Sequence, residues 1–170
     1  RQRQMCIRDR SRSNREYCAH AIDPCVLYDN GKLWMSYGSW DGGIYLIELD
    51  KTTGLRDTTH KYQYKVNESD PYMGIKIAGG GFAYCGGEAS YIKKIGSKYY
   101  LFISYEGLEA AKGYNMRVWS SDSLAGPYKD ISGDDARFVG DGVDAESGTY
   151  SMISRYGFGT IGTRLMSYYK

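Results

Sequence analysis

Two carboxylates stand out by their surroundings. Asp23 lies in Ala21-Ile22-Asp23-Pro24, and Glu88 lies in Gly86-Gly87-Glu88-Ala89-Ser90-Tyr91. Each opens a run of strand-like residues. Pro24 has no amide hydrogen, which suits a strand start, and the glycine pair before Glu88 lets backbone or ligand approach closely. Two carboxylates delivered to one cleft suit glycoside hydrolysis, in which one protonates the leaving oxygen while another tunes it or activates water. A carboxylate near a second one penalises its ionised form and favours keeping a proton on it. The alternative is that each acid caps a turn or accepts from strand-edge amides.

The elements that must position these acids are strands. Pro24–Asp29 leads into Asn30-Gly31, a dipeptide suited to a type I′ hairpin turn, and Lys32–Tyr37 returns. Gly38–Gly43 turns the chain into a third strand, Ile44–Asp50, and a fourth is expected near Tyr62–Val66. The pattern then recurs. Glu88–Ile95 turns at Gly96-Ser97 into Lys98–Tyr105, and Tyr114–Ser120 follows after a connection over Gly107–Gly113, where one helical turn could fit. A third, weaker unit is read at Ser147–Ser154 and Gly162–Tyr169. In the two clear units an acid opens strand one, strand two ends in Ser-Tyr, and a glycine loop leads to strand three. Repeated four-stranded meanders at this spacing predict an all-β, partial β-propeller of about three blades rather than a sandwich. In a propeller the first strand of each blade lines the central channel, so Asp23 and Glu88 are expected to share one cavity.

Composition agrees with this. The chain has 170 residues, 18 of them Tyr and 22 Gly, with only 3 Pro. Tyr and Gly suit short twisted strands and tight turns, and Tyr also lines sugar-binding clefts. No run of 18 apolar residues exists, so no helical membrane span is expected. The net charge is only +2, which disfavours a nucleic-acid binder. Six arginines within residues 1–15, against Asp9 alone, supply that excess, and the remainder carries −3. This basic arm lacks apolar periodicity and resembles a translated adapter, so residues 1–15 are set apart from the domain at 16–170; a basic arm for an anionic partner is the other possibility. With no Met at position 1, the chain is expected to begin within a gene. Cys18, Cys25 and Cys85 match no common zinc spacing, so buried free thiols are expected. The acidic stretch Asp134, Asp135, Asp141, Asp144 and Glu146 fits no calcium loop with alternating ligands and is read as a solvated connection.

The motifs are also those of a known family. Ala21-Ile22-Asp23-Pro24, Gly31-Lys32-Leu33-Trp34-Met35, Tyr37-Gly38-Ser39-Trp40 and Gly42-Gly43-Ile44 resemble glycoside hydrolase family 43. So do Gly74-Ile75-Lys76-Ile77-Ala78-Gly79-Gly80, Gly87-Glu88-Ala89-Ser90-Tyr91-Ile92, Tyr99–Tyr105, Gly113-Tyr114-Asn115-Met116-Arg117 and Gly126-Pro127-Tyr128. Within that family the resemblance is strongest to endo-acting α-1,5-arabinanases, over about residues 17–170; it departs at His20, where the family usually has Asn.

The resemblance implies a five-bladed propeller that inverts the anomeric centre with three carboxylates. Glu88 is then the general acid, and Asp23 modulates its pKa and orients substrate. Ile22, Ser39 and Trp40 are candidate substrate contacts; Trp40 either stacks on a sugar ring or packs within a blade. The third carboxylate, the general base, has no counterpart in these 170 residues. The family's central ion, calcium or another, is approached by a His that would lie beyond Lys170, so no metal ligand is expected here, and His60 is read as a surface turn residue. The implied partner is plant cell-wall arabinan or its oligosaccharides, and the implied location is extracellular or periplasmic. An exo-acting arabinofuranosidase or β-xylosidase of the same family, or a non-catalytic carbohydrate-binding propeller, is the alternative. Residues 1–170 alone are expected to be inactive.

Overall fold

The computed structural model describes residues 20–40, 42–57, 59–62, 73–79, 87–106, 114–139 and 148–154, the last six by backbone alone. The calls at residues 1–15, at Cys18 and Cys85, at Gly107–Lys112, at Asp141, Asp144 and Glu146, and at Gly162–Tyr169 lie outside them. Eight strands form two four-stranded antiparallel sheets, each a meander in chain order. The first sheet holds β1 (Cys25–Asp29), β2 (Lys32–Tyr37), β3 (Ile44–Leu49) and β4 (Ile75–Ala78). The second holds β5 (Gly87–Ile95), β6 (Lys98–Tyr105), β7 (Asn115–Ser121) and β8 (Thr149–Ser154). Among the described residues the helical content is one 3-10 turn, Ala136–Phe138.

Local chemistry explains the hairpins. Asn30 and Gly31 both have positive φ, 49° and 81°, as a type I′ turn requires. Asp29 therefore pairs Lys32, and the whole β1–β2 register follows from that turn. At the second hairpin only Gly96 has positive φ, 60°, which fits a turn with Gly at its first central position. In β3 the run Ile44-Tyr45-Leu46-Ile47 is buried on both faces, as the near-continuous apolar sequence of an inner strand demands. Along β6 and β7 burial alternates residue by residue, the signature of strands with one face on the core.

The two sheets share one apolar core. Ile44, Leu46 and Ile77 of the first sheet pack with Ile92, Leu101, Ile103 and Trp119 of the second, and Leu27 and Trp34 close its edge. Each fully buried side chain of this kind contributes on the order of 2 kcal/mol. Polar bonds also cross the seam. Gly79 N–H donates to the Ala136 carbonyl at 2.8 Å, and the Ser36 and Ser90 hydroxyls bond at 3.0 Å in a buried position. Asp29 accepts from Lys94 Nζ at 2.9 Å and from the Tyr99 hydroxyl at 2.7 Å. β5 runs against β1, β2 and β3, as the inner strand of the next blade should.

Two sequence expectations change. The fourth strand of the first blade is Ile75–Ala78, not Tyr62–Val66: β4 pairs β3 through Ile44–Ala78 and Tyr45–Lys76. Tyr62 instead projects its hydroxyl to accept from the Glu48 amide at 2.9 Å, and residues 63–66 lie outside the described ones. Thr149–Ser154 closes the second blade as its fourth strand, paired with β7, and does not open a third. Gly148 makes this possible, because a Cβ there would stand 2.4 Å from the Trp119 ring.

Candidate active site

Asp23 and the start of the strand that carries Glu88 adjoin where the two sheets meet. Asp23 sits two residues ahead of β1 with φ of 54°, a left-handed conformation that Asp tolerates better than most residues. Glu88 is the second residue of β5. Directly after it the register slips: Glu88 pairs Ser104, and the next pair is Tyr91 with Phe102. This bulge puts Ala89 at φ of 52° and turns its amide to Asp23, whose Oδ2 accepts at 3.1 Å. Bulges re-aim side chains in this way next to active sites. Trp40, in the β2–β3 connection, also has a positive φ of 53°, and its amide donates to the Gly87 carbonyl at 2.8 Å. Three non-glycine residues held this way, at roughly 1–3 kcal/mol each, mark a place where geometry is imposed by the surrounding fold.

Each oxygen of Glu88 has its own donor. Oε2 accepts from the Trp40 indole Nε1 at 2.9 Å, and Oε1 accepts from the Tyr114 hydroxyl at 2.6 Å. Tyr114 lies just ahead of β7 and reaches across β6. Burial pushes its phenol up, its hydrogen bond to Glu88 and the charges of Glu88 and Asp23 push it further, and a hydrogen bond with Ser104 partly opposes them. Tyr114 is thus held as a neutral donor. Gly87 is needed for packing, since a Cβ there would come within 2.7 Å of Ile103 and 3.0 Å of the Tyr105 ring.

The structure thus brings the Asp23 side chain, the Glu88 segment and Trp40 into one place. Trp40 does something neither expectation contained: its indole N–H anchors Glu88. Ile22 is half exposed, its carbonyl accepting from the Gly38 amide at 3.1 Å, whereas Ser39 is only 5% exposed. Tyr114 escaped sequence reasoning as a site residue. Its signal was its place at the start of the third strand of the Glu88 unit, but the reach across β6 is a tertiary fact.

Other candidates separate from the site. His60 is exposed and lies against Tyr62, ring centroids 4.3 Å apart. Asp135 caps the 3-10 turn and pairs with Arg137 at 2.7 Å. Cys25 is a half-buried free thiol. Among the described residues no three His, Cys, Asp or Glu side chains converge as a metal site needs.

Comparison with known proteins places this geometry. Residues 11–142 match glycosyl hydrolases family 43. The chain is 36% identical over 149 residues to the extracellular endo-α-(1→5)-L-arabinanase of Thermotoga petrophila, covering 87% of the chain and 28% of that protein. The crystal structure of the endo-1,5-α-L-arabinanase from Thermotoga petrophila superposes with a TM-score of 0.61 at 38% identity, covering 72% of this chain and 25% of that one. A Cellvibrio cellulosa α-L-arabinanase complexed with arabinohexaose superposes with a TM-score of 0.55 at 26% identity, over 78% of this chain and 40% of that one. The chain therefore spans about a quarter of the length of the Thermotoga relative, and its two meanders are two blades of a five-bladed propeller. This chain belongs to glycosyl hydrolases family 43.

Proposed function

We propose that the described residues supply two blades, and two of the three carboxylates, of an extracellular glycosidase that hydrolyses α-1,5-linked arabinan with inversion. The observation that carries this is that Asp23, at the entry to the first blade, accepts from the amide of Ala89, the residue next to Glu88 in the second. Glu88 is the general acid: its proton passes to the glycosidic oxygen as the bond from that oxygen to the anomeric carbon breaks, and the bonding electrons stay with the oxygen. Asp23 spends one carboxylate oxygen on the Ala89 amide. That suits it to fixing the acid's loop, raising the cost of ionising Glu88 and orienting a sugar hydroxyl, rather than activating water. The general base stands on the opposite side of the anomeric carbon, roughly 6.5–9.5 Å from the acid, and is assigned to no residue described here. The Thermotoga relative is named as extracellular and arabinan-cleaving, and the Cellvibrio neighbour holds arabinohexaose; both support this substrate and location.

The test uses this chain extended to the length of its relatives. Glu88→Gln should keep the fold and cut hydrolysis of linear arabinan at least about a hundredfold, with a much smaller loss on substrates bearing a good leaving group, which need little protonation. Equal loss on both overturns the acid assignment. Residues 1–170 alone should release no reducing sugar from arabinan; turnover matching the extended form would overturn the role given to a base outside them.

A further inference from the structure

Glu88 is held on both oxygens by donors from two different blades, an unusual investment for a group whose task is to give a proton away. Trp40 arrives from the connection after β2, and Tyr114 from the entry to β7. An indole N–H only donates, so Oε2 is always an acceptor towards Trp40. The Tyr114 hydroxyl can donate or accept, and Ser104 bonds to it from behind. Asp23, from the chain entering β1, accepts from the amide of the next residue, Ala89, and its charge acts on Tyr114.

We propose that Trp40 and Tyr114 are positioning residues that orient the Glu88 carboxyl group and stabilise the carboxylate left behind as its proton is delivered. This rests on Glu88 being the general acid. Hydrogen bonds to an ionised acceptor are shorter and about twice as strong as neutral ones, so both donors gain strength as charge develops on Glu88. Their effect is therefore larger in the transition state than in the ground state, which is the condition for accelerating a step. Neither donor is interchangeable with a residue of the same shape. Tyr114→Phe leaves the ring and removes the hydroxyl, and Trp40→Phe leaves an aromatic side chain and removes the N–H.

The experiment titrates the Glu88 side-chain carboxyl by NMR, in the chain extended to the length of its relatives, for the parent, Tyr114→Phe and Trp40→Phe. Far-ultraviolet circular dichroism and thermal unfolding serve as the fold check. Each variant should move the Glu88 midpoint to higher pH by about one unit. The alkaline limb of arabinan hydrolysis should move with it, and the loss of kcat should be about tenfold larger for a poor leaving group than for a good one. Midpoints that stay put in both folded variants overturn the proposal. The titration needs no substrate, so it decides this point even if the parent fails to cleave arabinan, an outcome that would count against the proposed function alone. A uniform loss on both substrate types with an unmoved limb would show mere structural support, and also overturns it.

Discussion

Asp23 adopts a left-handed backbone directly before a proline, a combination with little local justification. Pro24 disfavours the right-handed helical region for the residue ahead of it, and the left-handed turn then aims the side chain at the Ala89 amide across the seam. The carboxylate there is a structural acceptor for Ala89 and, in the proposed mechanism, a charge acting on Glu88, and the two roles can be separated. Asp23→Asn keeps an oxygen to accept from Ala89 and removes the charge. If Asp23 modulates the acid as proposed, the alkaline limb of the pH–rate profile should fall to lower pH in Asp23→Asn, opposite to the shift expected when Tyr114 loses its hydroxyl. A profile unmoved by Asp23→Asn would argue against its modulating role. Among the site residues, Asp23 and Glu88 were legible because each stands at a strand entry beside Pro or Gly. Tyr114 was not, because one tyrosine among 18 carries no local mark of what its hydroxyl will meet.

At the scale of elements, glycines with similar backbone angles do different work. Gly31 has φ of 81° with nothing within 4 Å of a would-be Cβ, whereas at Gly43, φ of 87°, a Cβ would stand 2.3 Å from the Ala78 carbonyl oxygen. The first serves a turn, and the second lets β4 close on β3. Gly31→Ala should therefore cost only the backbone penalty, roughly 1–2 kcal/mol. Gly43→Ala adds overpacking of roughly 1–3 kcal/mol more. Denaturant unfolding of the two variants checks this, and equal losses would contradict the close approach of β4. The hairpin at Asn30-Gly31 was readable because its preference is confined to two residues. β4 was misplaced because its pairing with β3 spans a long connection, and Ile75-Lys76-Ile77-Ala78 has too few residues to announce a strand by alternation.

For the molecule as a whole, the seam between the blades carries a titratable lock at the end remote from the β1 entry. Burial alone would push the Asp29 carboxyl up, but hydrogen bonds from Lys94 and Tyr99 and the Lys94 charge outweigh it and hold the group below the usual carboxylate range. The Asp29 side chain is 10% exposed, so the lock is sheltered. The Lys94 ammonium is in turn pushed up, first by Tyr99 and then by Asp29. A carboxyl depressed in the folded state adds stability above its unfolded pKa of about 3.9 and loses it as pH falls through the folded value. Asp29→Asn should thus cost about 1 kcal/mol or more at pH 7, and the gap to the parent should close below about pH 4. Unfolding midpoints measured at pH 7 and pH 3 provide the check; a gap unchanged between them would refute the lock.

Taken by itself, the sequence determined the class of fold, most strand positions and the placing of two carboxylates at strand entries. Those features follow from interactions within a few residues: alternation along a strand, positive φ at Asn30-Gly31, and Pro or Gly beside a strand entry. β2 and β6 fall where alternation put them, Lys32–Tyr37 and Lys98–Tyr105. Tertiary structure alone decided which strand closes each blade, where β5 bulges, and what Glu88 touches. The donors of Glu88 lie 48 and 26 residues from it along the chain. No local preference specifies such a meeting; it comes about when two sheets bury Ile44, Leu46, Leu101 and Ile103 in one core and bring the ends of their connections side by side.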